Sequence, residues 1–318
     1  MNKKAIWVSY VILILLIIIA FIFIIFYPKI STELKKYNYN KASKSIVAII
    51  SGYDVSKDIL TSDVMIGTAF CYKDGYLVTN YHNVTDGDIS IITSDNNVFK
   101  AEVIAKDETR DIAILTSEAN LPALKIADSD KCEKGDNVYS ISTPVSAYLR
   151  YTYTSGMLTN TNIQGFGTQT LIQTNIDLSP GCSGAPLLNE NFEVVGMITL
   201  KSTEFGAEGL GFAIPSSNLA SYINVLENGD SILDLKLTFA KDLHSKYGIP
   251  NSNGITIQLV DESSPVKDLL KSGDIITEVN GNKIKNEVDF YDLIFENQDT
   301  QINLKVIRDG QETIIKIK

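Results

Sequence analysis

From Lys44 onward, apolar residues fall in short runs of β-prone side chains and not at helical spacing. The first runs are Ser45 to Ile50 and Met65 to Tyr72, and the turn pair Asp74-Gly75 predicts a hairpin back onto Tyr76-Leu77-Val78. Further runs occupy Ile89–Ile92, Ala101–Ile104, Ile112–Leu115, Val138–Ile141, Leu171–Thr174 and Glu193–Leu200. Runs this short, separated by turn residues, predict a β-sandwich or barrel and exclude a parallel sheet with crossover helices. One helix, Ser217 to Leu226, closes this region, and Asn228-Gly229-Asp230 breaks the chain before a new pattern begins.

The N-terminal pattern is different. Ala5 to Pro28 carries no charged side chain and is dominated by Ile, Leu and Phe. A helix of that length spans about 30 Å of hydrocarbon. A secretory signal has an apolar stretch of only about 7–15 residues and a small-x-small cleavage site, whereas this one runs on into Phe26-Tyr27-Pro28-Lys29. Residues 5–28 are therefore expected to be an uncleaved membrane anchor. The domain expectation is a tail and anchor over 1–28, a linker over 29–43, a first domain over 44–228 and a second over 229–318. Lys3 and Lys4 precede the anchor while Lys29, Lys35, Lys36, Lys41 and Lys44 follow it, so a literal lysine count places the following domains in the cytoplasm. That rule is weak for long translocated domains. The large domains are expected on the extracytoplasmic side, with the reverse orientation left open.

Composition narrows the function classes. The 318 residues are 44% hydrophobic and 21% charged with 8 prolines, which suits a folded chain of two domains. Twenty-eight Lys and Arg against 38 Asp and Glu give a formal charge of −10, so no basic surface is offered to phosphate backbones and nucleic acid is not expected as a partner. Cys71, Cys132 and Cys182 are too scattered for a disulfide framework, and no Cys-x-x-Cys or histidine pair offers a metal site. Neither metal nor cofactor is expected.

Candidate chemistry centres on Gly181-Cys182-Ser183-Gly184-Ala185-Pro186. A serine hydroxyl is a weak nucleophile unless a base removes its proton and donors await the oxyanion. The glycines allow the backbone amides of Gly181 and Ser183 to point at one spot, although the segment alone reads equally well as a β-turn. The chain has only two histidines, His82 and His244. His82 sits where a strand ends and a turn begins, a position from which a side chain reaches a cleft. The orienting acid is sought between base and serine. Asp111 lies directly before the apolar strand Ile112–Leu115, with Asp107 its near rival, and Ile112 and Ile114 are expected to anchor that strand in a barrel core. The order His82, Asp111, Ser183 is that of the chymotrypsin-type triad, not of the α/β-hydrolases. The Gly-x-Ser-x-Gly elbow of the latter also fails at Ala185, and His244, the one histidine after the serine, lies beyond the domain break.

With those residues in place, the chain resembles the HtrA-type (DegP/DegS-like) membrane-anchored serine proteases of trypsin fold with a C-terminal PDZ domain. The likeness covers about residues 44–318. It rests on Gly67 to Phe70, Asp74 to His82, Arg110 to Leu115, Gln173-Thr174, Ser179 to Leu187, Val195 to Thr199 and Gly209 to Pro215. The resemblance implies a mainly β protein with two β-barrels and the triad between them. His82 would be the base, Asp111 its orienter, Ser183 the nucleophile, and the amides of Gly181 and Ser183 the oxyanion pocket. Leu178 would line the pocket for the residue before the cut bond and favour small or medium apolar side chains, while Asp177 beside it argues for a basic one. The implied substrates are misfolded or exported polypeptides, and the family suggests a homotrimer. Cys182-Ser183-Gly184-Ala185-Pro186 departs from the usual Asn-Ser-Gly-Gly-Pro, so a methyl at Ala185 is placed where the turn is tight. Cys182 adjoins the nucleophile, with its side chain expected to point away.

Ser264 to Ile284 and Val306 to Gly310 resemble a PDZ domain, in which a peptide adds to a sheet edge and its carboxylate enters a backbone nest. The nearest match to the nest segment is Leu233-Asp234-Leu235, where the usual glycine is replaced by Asp234. A spacer or trimer brace is the alternative for this domain. Two functions remain open from sequence: an active endopeptidase, and an inactive relative that serves as a membrane-tethered peptide-binding scaffold.

Overall fold

The computed structural model describes residues 3–317 apart from 58, 85–86, 109, 164–169, 202–208, 229–234, 236, 241–253, 263, 286 and 298–299. The first element is one helix, α1 (Lys3–Ser43). It runs without interruption through Pro28 and through 29–43, the stretch expected to be a linker. Its apolar part is long enough to cross a membrane and is not buried by the rest of the chain. Its last turns dock on the body of the protein. Ala42 is buried, the Tyr39 hydroxyl donates to the Tyr151 carbonyl (3.0 Å), and Lys35 Nζ donates to the Tyr139 hydroxyl (3.2 Å).

Two closed six-stranded barrels follow. The first contains β1 (Ile46–Asp54), β2 (Ile59–Lys73), β3 (Tyr76–Thr79), β4 (Ile89–Ile92), β5 (Val98–Asp107) and β6 (Ile112–Ser117), in the order β1-β2-β3-β6-β5-β4. The second contains β7 (Asn137–Ser142), β8 (Thr152–Ile163), β9 (Leu171–Thr174), β10 (Pro186–Leu188), β11 (Val194–Lys201) and β12 (Gly211–Pro215), in the order β10-β11-β12-β9-β8-β7.

Side chains alternate along a strand, so each barrel has an inside and an outside set. Val47, Ile49, Leu77, Ala113 and Leu115 fill the first barrel, and Val138, Leu158, Ile172, Leu187 and Ile198 fill the second. The outside set is buried as well where the barrels meet. There Ile46, Phe70, Val78, Ile112 and Ile114 pack with Ile141, Leu188, Met197, Phe212 and Ile214, together with Leu219, Tyr222 and Ile223 of α2 (Ser216–Asn228). The expected placement of Ile112 and Ile114 is therefore corrected. They seal the seam between barrels, and Ala113 and Leu115 face the barrel interior. Burial on both faces explains why Ile112–Leu115 is continuously apolar and not alternating. Each fully buried Ile or Leu of the seam contributes about 1.5–3 kcal/mol over an exposed one.

The second domain is a sheet in the order β13-β14-β15-β17-β18, from β13 (Leu237–Phe239), β14 (Ile255–Val260), β15 (Ile275–Val279), β17 (Ile302–Arg308) and β18 (Gln311–Ile317), with β16 (Asn282–Lys283) pairing β15. Helix α3 (Glu287–Glu296) covers it and places Phe290 and Ile294 in the core. Asp274, 1% exposed, is gripped by Arg308 through Nε (2.7 Å) and Nη2 (2.6 Å). Burial opposes its ionisation, but the guanidinium holds its carboxyl below the ordinary value. Thr170, ahead of β9, donates to Asp292 Oδ2 of α3 (3.3 Å), and burial pushes the Asp292 carboxyl up to about 6. His244, Leu233 and Asp234 lie outside the described residues.

Candidate active site

The pairing of β3 with β6 brings the first two candidate residues together. Thr79 faces Ala113 in the register, so the residues that follow β3 meet those that precede β6. After Thr79 the chain makes a single 3-10 turn, Tyr81–Asn83, which carries His82 with its side chain 44% exposed. Asp111 sits just before β6 with φ +53°, a left-handed conformation that Asp tolerates better than most side chains. Asn80 Nδ2 donates to the Asp111 carbonyl (2.9 Å) and holds this bend against the base turn. Both carboxylate oxygens of Asp111 then approach His82 Nδ1 (2.8 and 2.9 Å), and Oδ1 also accepts from the His82 backbone N–H (3.1 Å). A carboxylate only accepts, so the Nδ1 proton lies between the two groups, and in the neutral imidazole it is Nε2 that carries the lone pair. Asp107, the rival acid, is committed elsewhere. Its oxygens accept from the Arg110 backbone N–H (3.0 Å) and from Arg110 Nη1 (2.9 Å).

Ser183 arrives from the second barrel, on the turn before β10. Gly184 donates to the Ile198 carbonyl (2.8 Å) and Ile198 to the Ala185 carbonyl (2.9 Å), which laces the turn to β11 next to Thr199. The Ser183 hydroxyl donates to the Thr199 carbonyl (3.2 Å), and no hydrogen bond joins it to His82 in this resting arrangement. Thr199 also donates its own hydroxyl to Asp111 Oδ2 (2.7 Å). One residue of β11 thus touches both the acid and the serine, a role that sequence reasoning did not assign.

The turn leaves two donors free. Pro180 accepts through its carbonyl from the Val145 N–H (2.6 Å), and Cys182 likewise from Ala185 (3.0 Å). In a trans peptide the N–H points opposite to the carbonyl, so the amides of Gly181 and Ser183 are turned the other way. Among the described residues neither amide has an acceptor. Gly181 has φ +90°, and a Cβ there would lie 2.2 Å from the Thr143 carbonyl oxygen, so only glycine fits. Ala185, by contrast, is fully buried in the second-barrel core, where its methyl packs without crowding the turn. Cys182 points into the same core with its sulfur 3.3 Å from Ser142 Oγ. Leu178 packs on that cluster from its edge, and a Cβ at Gly211 would come within 2.6 Å of Leu178 Cδ1. Asp177 is exposed to solvent.

Paired β-barrels with a histidine, an aspartate and a serine gathered at their seam define a chymotrypsin-like peptidase architecture. Residues 67–197 match the trypsin-like peptidase domain family and residues 224–318 the PDZ domain family. The "Serine protease Do-like HtrA" of Lactococcus lactis subsp. lactis (strain IL1403) is 30% identical over 285 residues, which cover 79% of this chain and 70% of that protein. On that relationship the chain belongs to the HtrA-type serine proteases. The "Probable periplasmic serine endoprotease DegP-like" of Marinomonas sp. (strain MWYL1) is 33% identical over 265 residues, covering 79% of this chain but only 56% of that longer protein. Among solved structures, "HtrA-type protease AlgW with decapeptide" superposes with a TM-score of 0.67 at 21% identity, covering 89% of this chain and 97% of that one. A serine endoprotease from Yersinia pestis gives a TM-score of 0.65 at 22% identity, covering 89% and 96%.

Proposed function

We propose that the protein is a membrane-tethered serine endopeptidase that cleaves misfolded or exported polypeptides through an acyl-enzyme. The observation that carries this reading is the two-oxygen grip of Asp111 on His82 Nδ1, beside a serine whose turn holds out two amides without acceptors. In the proposed reaction the Ser183 hydroxyl leaves the Thr199 carbonyl and turns to Nε2 of His82. His82 takes its proton as Oγ attacks the scissile carbonyl carbon. The developing oxyanion is stabilised by the N–H groups of Gly181 and Ser183. Collapse breaks the C–N bond, with His82 returning the proton to the leaving amine. Water, deprotonated in turn by His82, releases the acyl group.

Leu178, which packs against Gly211, would line the pocket for the residue before the cut bond and favour small or medium apolar side chains there, and the solvent-exposed Asp177 gives no reason for a basic one. Residues 5–28 would hold α1 in the bilayer with both domains on the extracytoplasmic side. Residues 44–228 would form the protease unit and 229–318 the PDZ domain, in a homotrimer. The PDZ domain would tether polypeptide by strand addition. The test uses the full chain in detergent with unfolded casein and a fluorophosphonate probe. Wild type should cleave casein and be labelled, while Ser183→Ala should lose turnover by several orders of magnitude and take no label. Unchanged cleavage by the variant refutes the assignment.

A further inference from the structure

The peptide that follows Ser183 is held from both barrels, and one of its holders stands directly beside the base. Its N–H donates to the Ile198 carbonyl of the second barrel (2.8 Å). Its carbonyl, that of Ser183, accepts twice from the first barrel: from the Thr68 backbone N–H (3.0 Å) and from Asn83 Nδ2 (2.9 Å). Asn83 is the residue after His82 in the same 3-10 turn, and it is 4% exposed. Its Nδ2 also donates to Thr79 Oγ1 (2.9 Å), whose hydroxyl donates in turn to the Thr68 carbonyl (2.7 Å).

The space around this carboxamide is cut to its thickness. A Cβ at Gly67 would lie 2.5 Å from Asn83 Cγ, and a Cβ at Gly184, next to the nucleophile, would lie 3.1 Å from Asn83 Nδ2. The absence of a side chain at Gly67 therefore leaves the room this planar amide occupies, while at Gly184 a Cβ would strike first the Thr68 carbonyl and the Thr79 hydroxyl that share its hydrogen-bond network. A buried amide requires hydrogen-bond partners, and here one of them is the nucleophile's own carbonyl.

We infer that Asn83 is a positioning residue that fixes Ser183 relative to His82. The inference rests on the serine-protease reading above. Because Asn83 shares the turn with His82 and hydrogen-bonds the backbone of Ser183, a shift of either catalytic side chain is transmitted to the other across the seam. Attack requires the reacting atoms to be aligned, and misplacement of about 1 Å lowers turnover by about 10²-fold. Asn83 touches no reacting atom, so its loss should act on kcat and leave KM nearly unchanged.

The experiment uses the full chain in detergent, with active sites titrated by fluorophosphonate so that kcat is counted per competent serine. Asn83→Ala removes the donor and adds no volume to the slot. Its kcat per titrated site should fall by about 10-fold to 100-fold with KM within about twofold. Gly67→Ala pushes on the carboxamide directly and should lower both kcat and the melting temperature. Gly67→Ala with Asn83→Ala relieves that collision, so the melting temperature should recover while kcat stays low. A purely structural role predicts the opposite for the double variant, with kcat recovering alongside the fold. Wild-type kcat per titrated site in Asn83→Ala, or in the double variant, overturns the inference. Failure of wild-type protein to take the probe would instead overturn the serine-protease reading itself.

Discussion

Replacing Thr199 by valine removes one hydroxyl and almost no volume, which makes the position a measure of what the acid needs from its surroundings. The Asp111 carboxylate has three donors: the Thr199 hydroxyl at 2.7 Å, the His82 backbone N–H at 3.1 Å and the His82 ring. A hydrogen bond to a charged group is worth about 1.5–3 kcal/mol net. Two donors survive the change, and Asp111 is 24% exposed, so water replaces part of the loss. The lower end of that range therefore applies, about 1.5 kcal/mol, which is about tenfold in rate. The Thr199 carbonyl is unaffected, so the resting hydrogen bond of Ser183 persists and fluorophosphonate titration still counts the sites. Thr199→Val should then turn over peptide about tenfold more slowly per titrated site, and Thr199→Ser, which keeps the hydroxyl, should stay within about threefold of wild type. Equal losses in the two variants, or none in the valine variant, would refute the idea that the hydroxyl supports the acid.

Asp111→Asn keeps the shape of the site but favours the wrong imidazole tautomer, and kcat should drop by about 10⁴ with little change in melting temperature; retention of most activity would move the acid's role to Asp107. Asp292 has its carboxyl raised to about 6 by burial, so the folded state holds its proton more tightly than the unfolded chain and loses stability as pH rises from about 4 to 6. Asp292→Asn, neutral throughout, should accordingly raise the melting temperature relative to wild type above pH 6, with the difference vanishing toward pH 4 in a pH series of thermal melts. Arg308→Met leaves Asp274 buried without its partner and should destabilise the second domain by about 3–5 kcal/mol in calorimetry, whereas Arg308→Met with Asp274→Leu should restore most of the loss.

His82 and Ser183 were legible as candidates because the chain has so few histidines and because glycines bracket the serine. Asp111 was legible only as one of two carboxylates, since nothing local shows that Arg110 occupies Asp107. Thr199 and Asn83 were not legible as site residues. Their hydrogen bonds reach partners 88 and 100 positions away, and the barrel closure that joins them leaves no local pattern. Strand β8 escaped for a different reason. It is rich in Thr and Asn, only Leu158 along it is fully buried, and its pairing to β7 and β9 is carried by backbone groups that have no sequence signature. The stretch over 29–43 was expected to be a linker and continues α1 instead, a course that its polar composition does not distinguish from a linker.

The unbroken course of α1 into the body of the protein would give a membrane-held protease a fixed altitude. With residues 5–28 in a bilayer, as proposed, nothing between membrane and barrels can pay out like rope. From Tyr27 to Tyr39, whose hydroxyl hydrogen-bonds the Tyr151 carbonyl beside the second barrel, the axis rises about 18 Å. A polypeptide held in the same membrane has to protrude by at least about five extended residues before any of it reaches that level. Adding or deleting one residue below Lys35 would change the height by about 1.5 Å and swing the whole cleft by about 100° around the axis. In that proposed arrangement the spindle would meter both how far out and in which direction the protease cuts.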